Sequence, residues 1–213
     1  MPATPLEQAF ALLEALLGHP IDAVRVEQLQ CHLSLVQEWN DSLHLVSEND
    51  AHFLEERHLI DSLSLVPYVL RYAEAGGLLD IGPGGGFPVI PIKCILPELP
   101  VVMVERSVRK SSYLLRVIAR LGLRDIDLIQ GPFPEVLPKI TSGCITARAV
   151  ERPTAFHKQL LSRMPVGAHF LCQSDVSVLR RNTMFHVEHV NDPWRQSALR
   201  RGELHIISKK LKA

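Results

Sequence analysis

Residues 78–91, Leu78-Leu79-Asp80-Ile81-Gly82-Pro83-Gly84-Gly85-Gly86-Phe87-Pro88-Val89-Ile90-Pro91, run from a short apolar stretch through a carboxylate and a set of glycines into a helix start. Leu78, Leu79 and Ile81 read as a buried parallel strand. Gly82, Gly84 and Gly86 let the backbone pass where a Cβ would block the turn or a ligand, and Pro88 suits the first turn of the following helix. A second apolar run, Val101–Val104, ends in Glu105, nineteen residues after Gly86. At that distance a β-α-β unit sets a carboxylate opposite a ribose diol. The two pieces together describe a nucleotide or nucleoside pocket at the edge of a parallel sheet.

The glycine spacing separates two kinds of ligand. A dinucleotide fingerprint places its third glycine three residues after the second, leaving the helix N-terminus free for pyrophosphate; Phe87 stands there. Instead the glycines alternate at 82, 84 and 86, with Asp80 two residues before the first. This acid-x-Gly-x-Gly-x-Gly order resembles motif I of class I S-adenosylmethionine-dependent methyltransferases, and a carboxylate at that place suits a cationic sulfonium better than a pyrophosphate. The rival readings are a structural turn in another α/β domain, an NAD-dependent oxidoreductase, and a noncatalytic RNA-binding module.

Outward from the turn, strands 78–82, 101–105, 126–130 and 144–148 alternate with helices 88–96 and 109–121, followed by strands 168–172, 185–190 and 204–208. Alternation of this kind predicts a doubly wound, Rossmann-like α/β fold with a seven-stranded, mostly parallel sheet ending in a hairpin. The last two strands are joined by a Pro- and Arg-bearing loop without a clear helix. Upstream, Leu6, Phe10, Leu13 and Leu17, then Val26, Leu29, Leu33, Val36 and Trp39, recur at helical spacing. Asp50 or a neighbour opens a third helix through Arg57, and Asp61 a fourth. The expected organisation is an N-terminal helical layer, 1–72, packed on a core, 73–213.

At 213 residues and 46% hydrophobic content the chain can bury an ordinary core. No leader peptide and no apolar run long enough for a membrane span is read in the sequence, so a soluble, cytoplasmic protein is expected. Cys31, Cys94, Cys144 and Cys172 are scattered, without a C-x-x-C pair, and read as buried thiols. No metal site is expected, since His186 and His189 would point to opposite faces of a strand. Neutral overall, the chain is divided: residues 1–80 carry 13 acids and 3 Lys/Arg, residues 81–213 carry 10 acids and 20 Lys/Arg. A basic half beside a nucleoside pocket fits a polyanionic substrate; a solvated basic surface is the plainer alternative.

Two further places carry chemistry. Gln130-Gly-Pro-Phe133-Pro134-Glu135 leaves the third strand at the carboxyl edge of the sheet, where such folds bind ligands, and Phe133 is placed to line an adenine site. Arg148, ending the strand Cys144–Arg148, faces the cofactor and substrate cleft, because an unpaired guanidinium in the core costs too much.

With these pieces in place the chain resembles the bacterial small-subunit (16S) rRNA guanine N7-methyltransferases, the glucose-inhibited division protein B family. Glu38-Trp39-Asn40, Arg57-His58-Leu59-Ile60-Asp61-Ser62, Asp80 to Pro91 and Thr146-Ala147-Arg148-Ala149 stand in the family's order and spacing. The likeness covers about residues 25–172, with an echo in Leu204–Lys210. It implies methyl transfer from S-adenosylmethionine to N7 of a guanine in ribosomal RNA, free or in the small subunit. It also implies a cofactor site of Asp80, Gly82, Gly84, Phe87, Glu105, Phe133, Pro134 and Arg148, and Arg57, His58 and Arg148 facing RNA. Arg57, His58, Asp61 and Ser62 equally suit a capping and salt-bridge cluster that docks the helical layer. The chain departs from the family pattern at His44-Leu45-Val46 (usually Asn-Leu-Thr), at Glu105 (commonly Asp), in the 132–134 loop (usually an Arg-Ala-Glu-like turn), and at Cys172-Gln173 (usually Lys-Gly).

Overall fold

A computed structural model describes residues 2–74, 76–137, 139–148, 153–173 and 185–209. Its sheet holds β1 (Leu78–Ile81), β2 (Val101–Glu105), β3 (Ile126–Gln130), β4 (Cys144–Ala147), β5 (His169–Cys172), β6 (Phe185–His189) and β7 (His205–Lys209). The order is β3-β2-β1-β4-β5-β7-β6. β1 to β5 run parallel, and β7 is antiparallel to both β5 and β6. The predicted seven strands and terminal hairpin are all present. Strand order reverses between β1 and β4, so the ligand crevice lies beyond their carboxyl ends. Ala149-Val150-Glu151-Arg152 and Lys210 lie outside the described residues.

The N-terminal layer is built from well-signalled helices. Thr4 and Glu7 close a capping box on α1 (Pro5–Leu17), and Gly18 ends it in the left-handed conformation. Asp22 caps α2 (Ala23–Leu43), whose buried stripe is Leu29, His32, Val36, Asn40 and Leu43. His44 terminates α2 at φ +48°, a backbone region that asparagine and histidine enter more readily than other non-glycine residues. The Asn40 side-chain carbonyl accepts from the Val46 amide at 2.9 Å and secures the exit of the helix.

The next two helices differ from expectation. Ser47, not Asp50, caps the short α3 (Glu48–Ala51). A π-helical turn, Glu55–Leu59, then leads straight into α4 (Ile60–Leu63), and α5 (Val66–Tyr72) follows. Asp61 therefore caps nothing: it lies inside a helical run, buried, with its carboxylate directed at a tertiary partner. The core half adds α6 (Val89–Ile95), buried along its whole length, α7 (Val108–Leu121), α8 (Pro153–Arg163) and α9 (Pro193–Gln196). α8 was not anticipated, although a parallel β4–β5 pair needs a crossover of this kind; α9 fills part of the expected loop. One apolar cluster runs from Ala9 and Leu13 through Leu29 and Leu78 to Ile206, so α1, α2 and the sheet share a core.

Candidate active site

The glycine turn is held from below by the helical layer. Gly86 has φ +92°, and a Cβ there would lie 2.8 Å from Ile90 Cγ1 and 2.9 Å from His32 Nε2. His32 is fully buried, and burial drives its pKa down to about 4. A neutral ring has one donor, which places Nε2–H on the Gly85 carbonyl at 2.8 Å. Phe87 sits between the rings of His32 (4.7 Å) and His58 (5.0 Å), so it braces the turn. His32 was missed in the sequence, although its spacing from Leu29 and Val36 put it on the inner face of α2.

Glu105, at the tip of β2, is buried and ties the turn to the next element. Its Oε2 accepts from the Gly84 amide at 3.1 Å, and its Oε1 from the Ser107 amide at 2.8 Å. A carboxylate offers about four lone-pair positions, so these two bonds fix its orientation and leave capacity toward the crevice.

Above the turn lies a cavity of about 790 Å³ whose walls include Gly82, Gly84, Glu105, Phe133 and Arg148. Lys110, Pro132, Phe156 and Gln159 also contribute. Phe133 packs against Phe156 with ring centroids 6.0 Å apart; the Phe156 and Gln159 walls went unseen because α8 did. Three expected members stand outside these walls. Phe87 packs against the histidines beneath, and Pro134 is buried beside Phe133. Asp80 is fully buried between β2 and β4, opposite Met103 and Thr146. The Thr146 hydroxyl donates to Asp80 Oδ1 at 2.7 Å, yet burial raises the carboxyl pKa to about 7. Asp80 lies beneath the turn, outside the cavity walls, with its Oδ2 unpartnered among the described residues.

A second cavity, about 400 Å³, adjoins the end of β4 and is lined by Arg57, His58, Asp61, Gln173 and Arg201, with Arg148 shared between the two. Arg148 Nη2 lies 3.2 Å from Asp61 Oδ2 and donates to the Arg57 carbonyl at 3.4 Å. Gln173 Nε2 donates to the same Asp61 Oδ2 at 3.0 Å. Arg57 pairs with Asp50 Oδ1 at 2.6 Å and stacks over Phe53 at 4.6 Å. Burial, helped by Arg148, lowers the His58 pKa to about 4, so at neutral pH this ring is an uncharged hydrogen-bonding and stacking group. Arg57, His58 and Asp61 thus join helical layer to core and line the cleft at once. The π-helical turn that carries Arg57 and His58 is a feature often found at functional sites.

Away from the cleft, the β6–β7 hairpin sets His189 opposite His205, with Glu203 at 4.0 Å and 3.5 Å from their Nε2 atoms. Considering His186 and His189 within one strand left out the neighbouring strand. The three donor atoms lie within 4.8 Å of one another, near enough for one ion to bridge them, with His189 and Glu203 exposed and His205 buried.

The sheet order, the cavity over the first turn and the acid on the second strand define a class I S-adenosylmethionine-dependent methyltransferase. A family model described as "rRNA small subunit methyltransferase G", GidB, matches residues 25–174, and the chain belongs to that family. A Ribosomal RNA small subunit methyltransferase G from Chromobacterium violaceum is 34% identical over 155 residues, 72% of this chain and 70% of its own length. The protein of the same name from Sorangium cellulosum is 31% identical over 197 residues, 91% of this chain and 79% of its own. Among solved structures, an O-methyltransferase from Bacillus cereus in complex with SAH superposes with a TM-score of 0.58 over 95% of this chain and 97% of that one. At 16% identity that likeness speaks for the fold.

Proposed function

We propose that this protein transfers a methyl group from S-adenosylmethionine to N7 of a guanine in small-subunit (16S) ribosomal RNA, in the cytoplasm. The observation that carries the reading is the placement of Arg148. It stands at the carboxyl end of β4 and forms a common wall of the nucleoside cavity and the second cavity, in a chain whose family match spans 25–174.

The residues fit the cofactor. The larger cavity is of the size that small-molecule sites usually have, about 300–1,000 Å³. Glu105 is immobilised where a ribose diol is expected, and Phe133 and Phe156 offer apolar walls for adenine. Gly82 has no protein atom within 4 Å of where a Cβ would stand. When bound, S-adenosylmethionine supplies an electrophilic methyl on a sulfonium.

What the protein must add follows from the acceptor. Guanine N7 carries a lone pair in the ring plane and loses no proton before attack, so a general base has no task. The chain's contribution is to hold the base in line at near-attack distance and to exclude water, effects worth about 7–11 kcal/mol when orientation is complete. Arg148 is the positioning residue at that junction, and the base has to leave its stack to reach it. Arg57 and Arg201 supply cationic groups at the second cavity for RNA phosphates, with His58 as a neutral contact. Among the described residues no helix is long and apolar enough to cross a membrane.

The test is transfer of tritiated methyl from S-adenosylmethionine to small-subunit rRNA, naked and as assembled subunits, from a strain lacking the protein, followed by nucleoside identification. The expected product is 7-methylguanosine. Label in adenosine or cytidine would overturn the proposed acceptor while leaving the cofactor assignment standing.

A further inference from the structure

Four buried polar atoms around the second cavity have no hydrogen-bond partner among the described residues: His58 Nε2, which lies 3.8 Å from Asp50 Oδ2, and the linked group Arg148 Nη1, Asp61 Oδ1 and Gln173 Oε1. All four belong to walls of that cavity, and only Arg148 also reaches the cofactor cavity. Orphaned buried polar atoms are costly and call for a reason. In the linked group each has a partner group bonded through its other atom. Asp61 Oδ2 receives both Arg148 Nη2 and Gln173 Nε2, which fixes three side chains and leaves one donor and two acceptors uncommitted.

Direction and order then select a base. Arg148 alone of the three reaches the cofactor cavity, Asp61 is paired to it and Gln173 to Asp61, so the linked group runs from a guanidinium donor through a carboxylate acceptor to an amide acceptor. Starting at N7, the rim of guanine offers the O6 acceptor, the N1–H donor and the N2–H donor. Adenine presents a donor at position 6 and an acceptor at N1, opposed at both places. Cytosine opposes all three groups, and uracil has an acceptor where guanine has its amino group. The Gln173 amide is assigned with its nitrogen on Asp61, so its oxygen is the atom left for the ligand.

We propose that Arg148 Nη1, Asp61 Oδ1 and Gln173 Oε1 read the Watson–Crick edge of the acceptor guanine at O6, N1–H and N2–H respectively, with N7 turned toward the cofactor cavity. This rests on the guanine N7 reading above and makes Asp61 and Gln173 specificity-determining residues.

The experiment uses the full-length protein and rRNA carrying either guanosine or inosine at the nucleotide that the wild-type enzyme labels. Inosine keeps N7, O6 and N1–H and lacks only the 2-amino group. Wild type should methylate the inosine RNA about tenfold more slowly in single-turnover kcat/KM, the usual scale for one lost hydrogen bond. Gln173→Ala should slow guanosine RNA by a similar factor and bring the two RNAs within about twofold, with S-adenosylmethionine affinity by calorimetry reporting the intact fold. Asp61→Asn should slow both RNAs, because its amide can turn a donor toward N1–H. Equal wild-type rates on guanosine and inosine overturn the proposal alone, as does a Gln173→Ala enzyme that still discriminates. Absence of any N7-labelled guanine removes the underlying reading, and this one with it.

Discussion

Arg148 and Asp61 act as a unit, and that changes what a simple truncation reports. Asp61 is buried, and its carboxyl is pushed upward by burial and pulled back by Arg148. Removing one partner of a buried pair strands the other, at a cost of about 3–5 kcal/mol. Arg148→Ala should therefore lower stability in urea melts by a few kcal/mol as well as slowing methyl transfer by about a hundredfold, the scale of a misplaced reacting group. Arg148→Ala/Asp61→Ala leaves no stranded charge and should recover much of the stability and none of the rate. Recovery of both would reduce the arginine to a docking contact. Arg148 itself was legible in the sequence, since a guanidinium at the end of a central strand must face a cleft. Asp61 was not: an acid before an apolar run reads as a helix cap, and only its distant partner, 87 residues on, shows otherwise.

At the scale of elements, the strand-turn-helix of β1 and α6 was plain because glycines, a strand and a following acid each have a local signature. α8 was not plain, since Phe156, Leu160, Leu161 and Met164 recur without the capping signals that marked α1 and α2, and its loss hid one wall of the cofactor cavity. The docking of α2 under the glycine turn was equally hidden, because a histidine on an apolar stripe gives no hint of the carbonyl it meets. Gly86→Ala puts a methyl against Ile90 and His32 at φ +92°. It should cost about 2–4 kcal/mol in denaturant titrations from the left-handed backbone and the overpacking together, and weaken cofactor binding measured by calorimetry. His32 adds a pH signature. Its folded pKa of about 4 lies below the unfolded value of about 6.5. Between those values the unfolded chain holds a proton that the folded chain does not, so this contribution is present at neutral pH and is lost as pH falls from 6.5 to 4. His58 shifts the same way, whereas Asp80, raised to about 7, works in the opposite sense. Comparison with His32→Gln isolates the one residue: the wild-type advantage over the variant should shrink by about 2 kcal/mol between pH 7 and pH 5. An unchanged difference would mean that His32 is not buried neutral against Gly85.

For the whole molecule, the division of charge between the acidic first 80 residues and the basic remainder meets the two cavities at the Arg148 junction. The acidic half is not idle there, because Asp50 and Asp61 hold Arg57 and Arg148 in place. Lys110 and Arg109 of α7 likewise donate to the His44 and Ser42 carbonyls at the end of α2. Part of the basic charge is therefore spent internally, Lys93 and Arg200 being buried as well. An RNA bound through basic groups releases counterions, and log K falls linearly with log salt by about 0.7–0.9 per phosphate contact. Binding of small-subunit rRNA should accordingly weaken by about tenfold or more between 50 and 200 mM salt if two or more phosphates are contacted. S-adenosylmethionine carries no polyanion into the larger cavity, where Glu105, Phe133 and Phe156 would hold it, so its affinity should move little over the same range. Filter binding for RNA and calorimetry for the cofactor, run on one preparation, separate the two. Parallel salt slopes would place the RNA-facing charge somewhere other than the second cavity, and would leave the base-reading cleft without the phosphate contacts needed to deliver a guanine into it.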